Sequence, residues 1–459
     1  MPRRVACRLV IALTVIVVAC SPEGPERTPM PTPTPTFPPP PFEITVTELP
    51  ESVFHPAERT YGTERAWDRN FAAVGPPRTP LNALDAEGGV VVAQSDGGLA
   101  ADGDWGIVLA RYHADGSLDW GRRYSSPLMH LASGLAIADG TIYLGGSFNL
   151  VTDFGLGPLQ AMPSQAAFIA AFNLNGEPMW VRAYGGRGGA SLSALALTEE
   201  GDLLASGIFA IENPFTGEPG PLGFDSADVY ITRLTAEGDP IWSTRVGNDR
   251  RNIPYGMVVA PGDQVTMATV DLVADTSELT PGRIVRLDGD GAIRSDTDWS
   301  GLRLSPDIES PVSLLDGRAV LIGRPDTGAA SETCTGVLVL SLDDAGEASS
   351  RSCLPCTDCD GVRPIAEPSG EGVLVTYGDG VVDVRLGLDM ERAPVAQLRG
   401  QPMRLTGTYD PEQGVVVLTG LWVGAPSTPR WFISRIDVTK GETAAARREV
   451  WWTRGVSNP

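Results

Sequence analysis

The stretches "GLAIADGTIYLGGSF" (134–148) and "ALALTEEGDLLASGIF" (194–209) decide the fold. Each holds a short apolar run, a tight acidic-glycine turn and a second apolar run, the pattern of two strands joined as a hairpin. Each is followed by a longer connection and a second hairpin, "AAFIAAFNLNGEPMWVRAYGG" (166–186) and "SADVYITRLTAEGDPIWSTRVGN" (226–248). The earlier "WGIVLARYHADGSLDWGRRY" (105–124) is another such second hairpin. Apolar residues alternate with polar or small ones along these pieces, as half-buried strands require. Gly116, Gly176 and Gly238 stand where the turns need positive φ. Trp120, Trp180 and Trp242 each follow four residues later and are expected to cap the seam between neighbouring units.

Weaker copies extend the pattern to the C-terminus. Gly291, Gly346 and Gly441 mark further third-to-fourth-strand turns, with a degenerate copy near Leu388 to Arg392. A spacing of about 50–60 residues suits four-stranded propeller blades with insertions. First hairpins begin near Asn82, Ser133, Leu192, Pro254, Val312, Pro364 and Met403. The fold class is therefore all-β, and the expectation is a seven-bladed β-propeller over residues 43–459. Closing such a ring removes its edge strands, and overlapping chain ends do this. Two segments compete for the lone closing strand, "RAWDRNFAAVG" (65–75) and "REVWWTRG" (448–455). That surplus keeps an eight-bladed ring as the alternative.

Ala167-Phe168-Ile169-Ala170-Ala171-Phe172, Asn175-Gly176, Trp180, Tyr184-Gly185-Gly186, and Phe148 with Asp153-Phe154-Gly155 carry a family likeness. Through them the chain resembles the bacterial β-propeller-repeat (SBBP-like) proteins, abundant as lipoproteins in myxobacterial-type genomes. The likeness spans roughly 100–250 and fades afterwards, where the tryptophan is missing from its place. It implies a propeller and an exported life, and no agreed reaction.

The N-terminus supplies the means of export. Arg3 and Arg4 precede an apolar run, Val5 to Ala19, too short for a spanning helix and shaped like a secretory signal. The run ends in Val17-Val18-Ala19-Cys20, which resembles a bacterial lipobox. That resemblance implies cleavage before Cys20 and lipidation of its new N-terminus. Ser21, where an Asp would imply inner-membrane retention, leans outward. The next segment, "SPEGPERTPMPTPTPTFPPPPF" (21–42), is dominated by proline, which fixes φ and removes backbone donors. It reads as an extended polyproline II spacer, on the order of 60 Å for some twenty residues. The expected organisation is a signal peptide at 1–19, a lipidated cysteine and tether at 20–42, and one propeller domain at 43–459.

Composition narrows the partners. The net charge is −22, and losing Arg3, Arg4 and Arg8 with the signal takes it to near −25. Such a chain is unsuited to nucleic acid or to a polybasic grip on acidic lipid, so the anchor must be covalent. Cys7 leaves with the signal and Cys20 takes lipid. Cys334, Cys353, Cys356 and Cys359 remain, an even set that outside the cytoplasm points to two disulfides rather than a metal. A turn centred at Asp344-Ala345 would place Cys334 opposite residue 355.

The working face follows from connection lengths. First-to-second and third-to-fourth turns are short, whereas 149–164, 210–225, 271–281, 325–333 and 423–430 are long. In a propeller those long connections share a face with the fourth-to-first connections, which add His130, Arg187, Arg250 and Arg251. This is the candidate binding rim, where arginines suit a carboxylate or a sugar acid.

Catalytic signatures are scarce. The three histidines are His55, His113 and His130, which does not suit a Ser-His-Asp triad or a histidine-rich metal centre. No P-loop, G-x-S-x-G or dinucleotide glycine motif occurs. "DGDGAIRSDTDW" (288–299) has glycine at its fourth place and Ala292 and Trp299 where a calcium loop needs ligands at five and twelve, and reads as a β-turn. The sequence thus describes a monomeric lipoprotein, anchored at the outer membrane or cell surface. It binds or scaffolds an extracytoplasmic protein or glycan, with no cofactor and no metal. Binding is favoured over catalysis. The enzyme alternative is a carbohydrate-active hydrolase or lyase using carboxylates. A third reading is an outer-membrane assembly propeller of the quinoprotein-like type, where Gly-x-x-x-Trp turns also occur.

Overall fold

The computed structural model describes residues 80–96, 105–220, 227–247, 251–272 and 283–298 and, outside these, the strands named below. Residues Met1–Glu43 form one unit and Ile44–Pro459 a second. The first unit holds β1 (Val10–Ala12), paired antiparallel with β2 (Val15–Val17). Cys20 and the proline-rich segment lie outside the described residues.

In the second unit, β3 (Val46–Glu48) and β4 (Ala66–Ala72) precede the repeats. The first repeat is β5 (Leu81–Leu84), β6 (Val90–Ser95), β7 (Trp105–Tyr112) and β8 (Leu118–Ser126). Then come β9 (His130–Ala138), β10 (Thr141–Thr152), β11 (Leu159–Asn173) and β12 (Pro178–Tyr184). The third sheet is β13 (Ala190–Leu197), β14 (Leu203–Phe209), β15 (Asp228–Leu234) and β16 (Pro240–Val246). The fourth is β17 (Arg251–Ala260), β18 (Gln264–Leu272), β19 (Arg283–Leu287) and β20 (Ile293–Asp298). The fifth is β21 (Leu302–Arg303), β22 (Val312–Leu315), β23 (Arg318–Pro325), β24 (Val337–Leu342) and β25 (Ala348–Leu354). The sixth is β26 (Arg363–Ala366), β27 (Val373–Tyr377), β28 (Gly380–Val384) and β29 (Arg392–Gln397). Last are β30 (Pro402–Asp410), β31 (Val415–Trp422) and β32 (Arg430–Asp437).

Every pairing is antiparallel, and among the described residues no helix interrupts the strands. Most repeats are four-stranded meanders; the fifth has five strands, because β21 and β22 both pair with β23. The first gains a fifth strand because β3 pairs with the outer edge of β8. The last borrows its fourth strand: β32 pairs with β4, from Arg430↔Ala72 to Ile436↔Ala66. Of the two segments expected to compete for that place, 65–75 supplies the strand, while 448–455 and Gly441 lie outside the described residues. All seven expected first-hairpin starts fall within β5, β9, β13, β17, β22, β26 and β30. These first strands neighbour one another in that order, and β30 returns to β5. The fold is propeller-like, with sheets set side by side through their innermost strands.

The core is a series of layers between sheets. Val91, Ile107 and Leu109 of the first sheet meet Ile142, Phe168 and Phe172 of the second. Val90, Val92 and Tyr112, pointing the other way, meet Val417 and Ile433 of the last sheet. Consecutive residues therefore serve different layers. This corrects the half-buried reading: β6 and β15 are buried at every position, because both of their faces pack against neighbouring sheets. Leu204, Val229 and Ile231 meet Val265, Met267 and Val285 in the same way.

The tryptophans do cap these seams. Trp120 Nε1 donates to Leu174 O at 2.8 Å and Trp242 Nε1 to Gly289 O at 3.0 Å, each reaching the third-to-fourth turn of the next sheet. Trp180 lies against the corresponding Gly238, whose carbonyl accepts from Tyr184 Oη at 2.8 Å. The turn itself recurs with one geometry. Gly116, Gly176, Gly238 and Gly291 all have φ near +80° (82, 75, 83 and 82), and each donates its N–H to the residue three before it. In "DGDGA", Asp288 Oδ1 accepts from Ala292 N at 2.8 Å and Asp290 N at 3.1 Å, so this segment is a turn of the same kind.

Candidate functional site

The two ends of the sheets differ in construction. One end carries the first-to-second and third-to-fourth turns and is tied by ion pairs. Arg111 holds Asp85 at 2.8 Å and Asp119 at 2.7 Å. Arg233 holds Asp202 and Glu200 at 2.7 Å and reaches Asp263 of the next sheet at 3.0 Å. Burial opposes the charge on Arg233, but its carboxylate partners outweigh burial and hold its pKa above the ordinary value. These arginines are committed to structure.

The opposite end carries the long connections. The expected loop 149–164 is mostly strand, because β10 runs on to Thr152 and β11 begins at Leu159. A register shift between Asn149 and Val151 lets the hairpin continue, with Leu150 at φ +60° and exposed. Phe154 folds back from its tip and packs 4.8 Å from Phe168 and 5.1 Å from Tyr124. In the next sheet the connection 210–220 closes on itself: Asn213 Oδ1 accepts from Phe215 N at 2.9 Å, and Glu212 bridges to Pro219. Phe215 then wedges between Tyr184 and Tyr230, 4.9 and 5.1 Å away.

His130 does not belong to the rim. It is fully buried at the start of β9, its ring 5.3 Å from Phe154 and 5.6 Å from Phe168, with Nε2 3.2 Å from Thr152 Oγ1. The apolar hairpin tip, invisible in the residue's sequence position, covers it. Burial lowers its pKa to about 3. The neutral ring therefore stays unprotonated in the folded chain while an unfolded chain takes up a proton below its ordinary value of 6.5. Stability contributed by keeping this ring neutral is present above pH 6.5 and falls as pH drops towards 3, by up to about 1.4 kcal/mol per unit. A His130→Phe variant is expected to lose this part of the acid sensitivity, measured as the slope of urea-unfolding free energy between pH 6 and 4. An unchanged slope would refute it.

Of the expected rim arginines, Arg187 is exposed in the β12–β13 connection, and Arg251 is the half-buried first residue of β17. Arg250 lies outside the described residues, as do Cys334, Cys356 and Cys359. Cys353 sits in β25 opposite Leu338. Leu342 pairs with Ala348, one residue from the expected alignment, and the register shift between Ser341 and Leu342 adds a second, so Cys353 does not face 336. Apart from Asp271, Leu272, Pro325 and Arg430, which belong to strands, the connections 271–281, 325–333 and 423–430 lie outside the described residues as well.

A feature missed in the sequence lies at the axis. The first strands of the second, third, fourth and last sheets each bulge by one residue against their partner, at Ser133, Ser193, Tyr255 and Met403. Ser193 is exposed, and Ser133 and Tyr255 are half-buried. Bulges re-aim side chains and favour functional rims. The readable signal was the glycine opposite, Gly146 or Gly207, over which the carbonyl of Leu131 or Ser191, two residues before the bulge, lies. Ser95 Oγ and Ser147 Oγ accept the N–H groups of Ala132 and Leu192 in the following sheets, fixing these strands. The first strands contain one acid, Asp410, and three arginines, Arg251, Arg363 and Arg404. They offer no facing pair of carboxylates. Among the described residues no group of three His, Cys, Asp or Glu side chains is placed to hold a metal.

No protein-family model matches the chain, and no curated protein does. Among solved structures, it is similar to BBS1N in complex with ARL6DN, at 10% identity and a TM-score of 0.48, over 85% of this chain and 99% of that one. It is similar to the polysaccharide lyase Uly1, at 11% identity and 0.47, over 86% and 99%. It is also similar to the Trypanosoma rangeli sialidase in complex with sialic acid, at 10% identity and 0.42, over 89% and 61%. At these scores the likenesses carry no argument about what this chain binds or does.

Proposed function

We propose that the chain is an exported lipoprotein, a closed seven-bladed β-propeller held to a membrane through Cys20 and binding its ligand on the loop face. Closure is supported by β4 completing the last sheet and by Asn82 Nδ2 donating to Thr419 Oγ1 at 2.8 Å between the first and last sheets. The observation that carries the binding reading lies at the elaborated end: Arg123, Arg245 and Arg283 pair with Asp96, Asp228 and Asp296 there, yet Arg187 and Arg251 beside them make no ion pair among the described residues. The near absence of acids from the first strands sets the carboxylate hydrolase reading behind it. The SBBP-like affiliation, the outer-membrane or surface location and the two disulfides belong to the same proposal.

Attachment rests on a single residue, so Cys20→Ala is expected to shift the protein from the membrane to the soluble fraction or leave it unprocessed. Normal processing with unchanged membrane partition would refute the anchoring.

A further inference from the structure

We infer that Arg187 and Arg251 together receive a small ligand carrying two carboxylates, of the sugar-acid class, at the loop-face mouth between the third and fourth sheets. This rests on the loop-face binding reading and names its ligand.

In a chain of net charge −22, arginines are surrounded by candidate partners. Those with described side chains use them. Besides Arg111 and Arg233, Arg123 holds Asp96, Arg245 holds Asp228 and Arg283 holds Asp296. Arg122, Arg182 and Arg294 hold Glu48, Asp239 and Asp288, and Arg286 is partnered as well. Among the described residues Arg187 and Arg251 alone make no ion pair or side-chain hydrogen bond. Nε of Arg251 is buried without an acceptor, a placement that costs free energy until an anion arrives.

The two exceptions share a place. Arg187 lies three residues before β13 and Arg251 opens β17, and these first strands are neighbours. Both follow fourth-to-first connections, so both stand at the loop-face end. Packed sheets lie about 10 Å apart, a span two guanidinium groups close on one doubly charged ligand.

Arg187 is also held in place before any ligand binds. Gly188 and Gly189 have φ of +95° and +88°. A Cβ on Gly186 would meet Glu212 O at 2.7 Å, and one on Gly188 would meet Ala210 O at 2.5 Å and Ile211 Cγ1 at 2.8 Å. The arginine's backbone thus lies tight on 210–212, including Ile211 at φ +66°. Pre-organisation lowers the entropy cost of binding. Glu212 flanks the loop without pairing to Arg187 and opposes an incoming anion. The net charge limits the ligand's size, since a long polyanion is repelled by the rest of the surface while two charges are offset locally.

The test titrates the detergent-solubilised full chain with digalacturonate, with cellobiose as the neutral control, at low and high salt. Digalacturonate is expected to bind, and more weakly as salt rises. Arg187→Ala and Arg251→Ala should each lose roughly tenfold or more in affinity, and Arg187→Lys less than Arg187→Ala. Glu212→Gln should tighten binding. Unchanged melting temperatures in the arginine variants establish that the fold is intact. Digalacturonate that does not bind, or binds equally to the arginine variants, overturns the inference. Binding of both disaccharides alike, lost on substituting Leu156→Asp at the exposed tip between β10 and β11 but unmoved by the arginine variants, overturns it while leaving the loop-face reading standing.

Discussion

A chain lacking residues 64–73 is expected to melt far below the intact protein, whereas a chain lacking 22–41 melts with it. β4 contributes seven register pairs to β32, and cross-strand pairs are each worth roughly 0.2–1 kcal/mol, so the loss is about 4 kcal/mol. The deletion also bares β32 as an edge, which invites pairing between chains. The layer formed by Val90, Val92, Val417 and Ile433 and the buried Asn82–Thr419 hydrogen bond then hold first to last sheet without the strand that spans them. Thermal unfolding of the three chains decides it; equal melting temperatures would refute closure by β4.

Gly146→Ala and Gly207→Ala are expected to be the most damaging single substitutions in the early sheets, each costing about 3 kcal/mol or more through overpacking. A Cβ on Gly146 would run into the carbonyl of Leu131, and one on Gly207 into the carbonyl of Ser191. Both obstacles are backbone, pinned by the bulge and by the Ser95 and Ser147 hydrogen bonds, so neither can swing aside as a side chain would. Gly140, Gly201 and Gly262 provide the contrast. Their φ values are positive, unlike those of Gly146 and Gly207, but a Cβ there meets nothing, leaving only the left-handed strain of about 1 kcal/mol. Urea unfolding of the five alanine variants should separate the two groups, and similar losses in both would refute the bulge account.

The repeat was legible because each unit must make the same turn. Glycine at positive φ followed by tryptophan is a local signature that located the early hairpins, and the repeat spacing carried the reading on to all seven first strands. The later copies lose the tryptophan but keep the strand spacing. What the sequence concealed depended on partners far away in the chain. A histidine in a connection looks like a rim residue until Phe154 folds over it. The choice between two closing segments rests on which one meets β32. Burial of β6 on both faces depends on Val417 and Ile433, more than three hundred residues away. Arg187 and Arg251 were readable as rim residues. Their lack of partners was not, because pairing of the other arginines is set by register across strands.

The short β3 strand also has a mechanical meaning. A pull arriving along the N-terminal segment reaches the second unit at Val46 and is borne first by three register pairs with β8 and the Glu48–Arg122 ion pair. Residues 49–65 separate this clip from β4, the strand that closes the last sheet. Load is therefore shed into the outer edge of the first sheet before it can act on the closing strand. The clip works as a strain relief, like the cable clamp that keeps tension off a soldered joint.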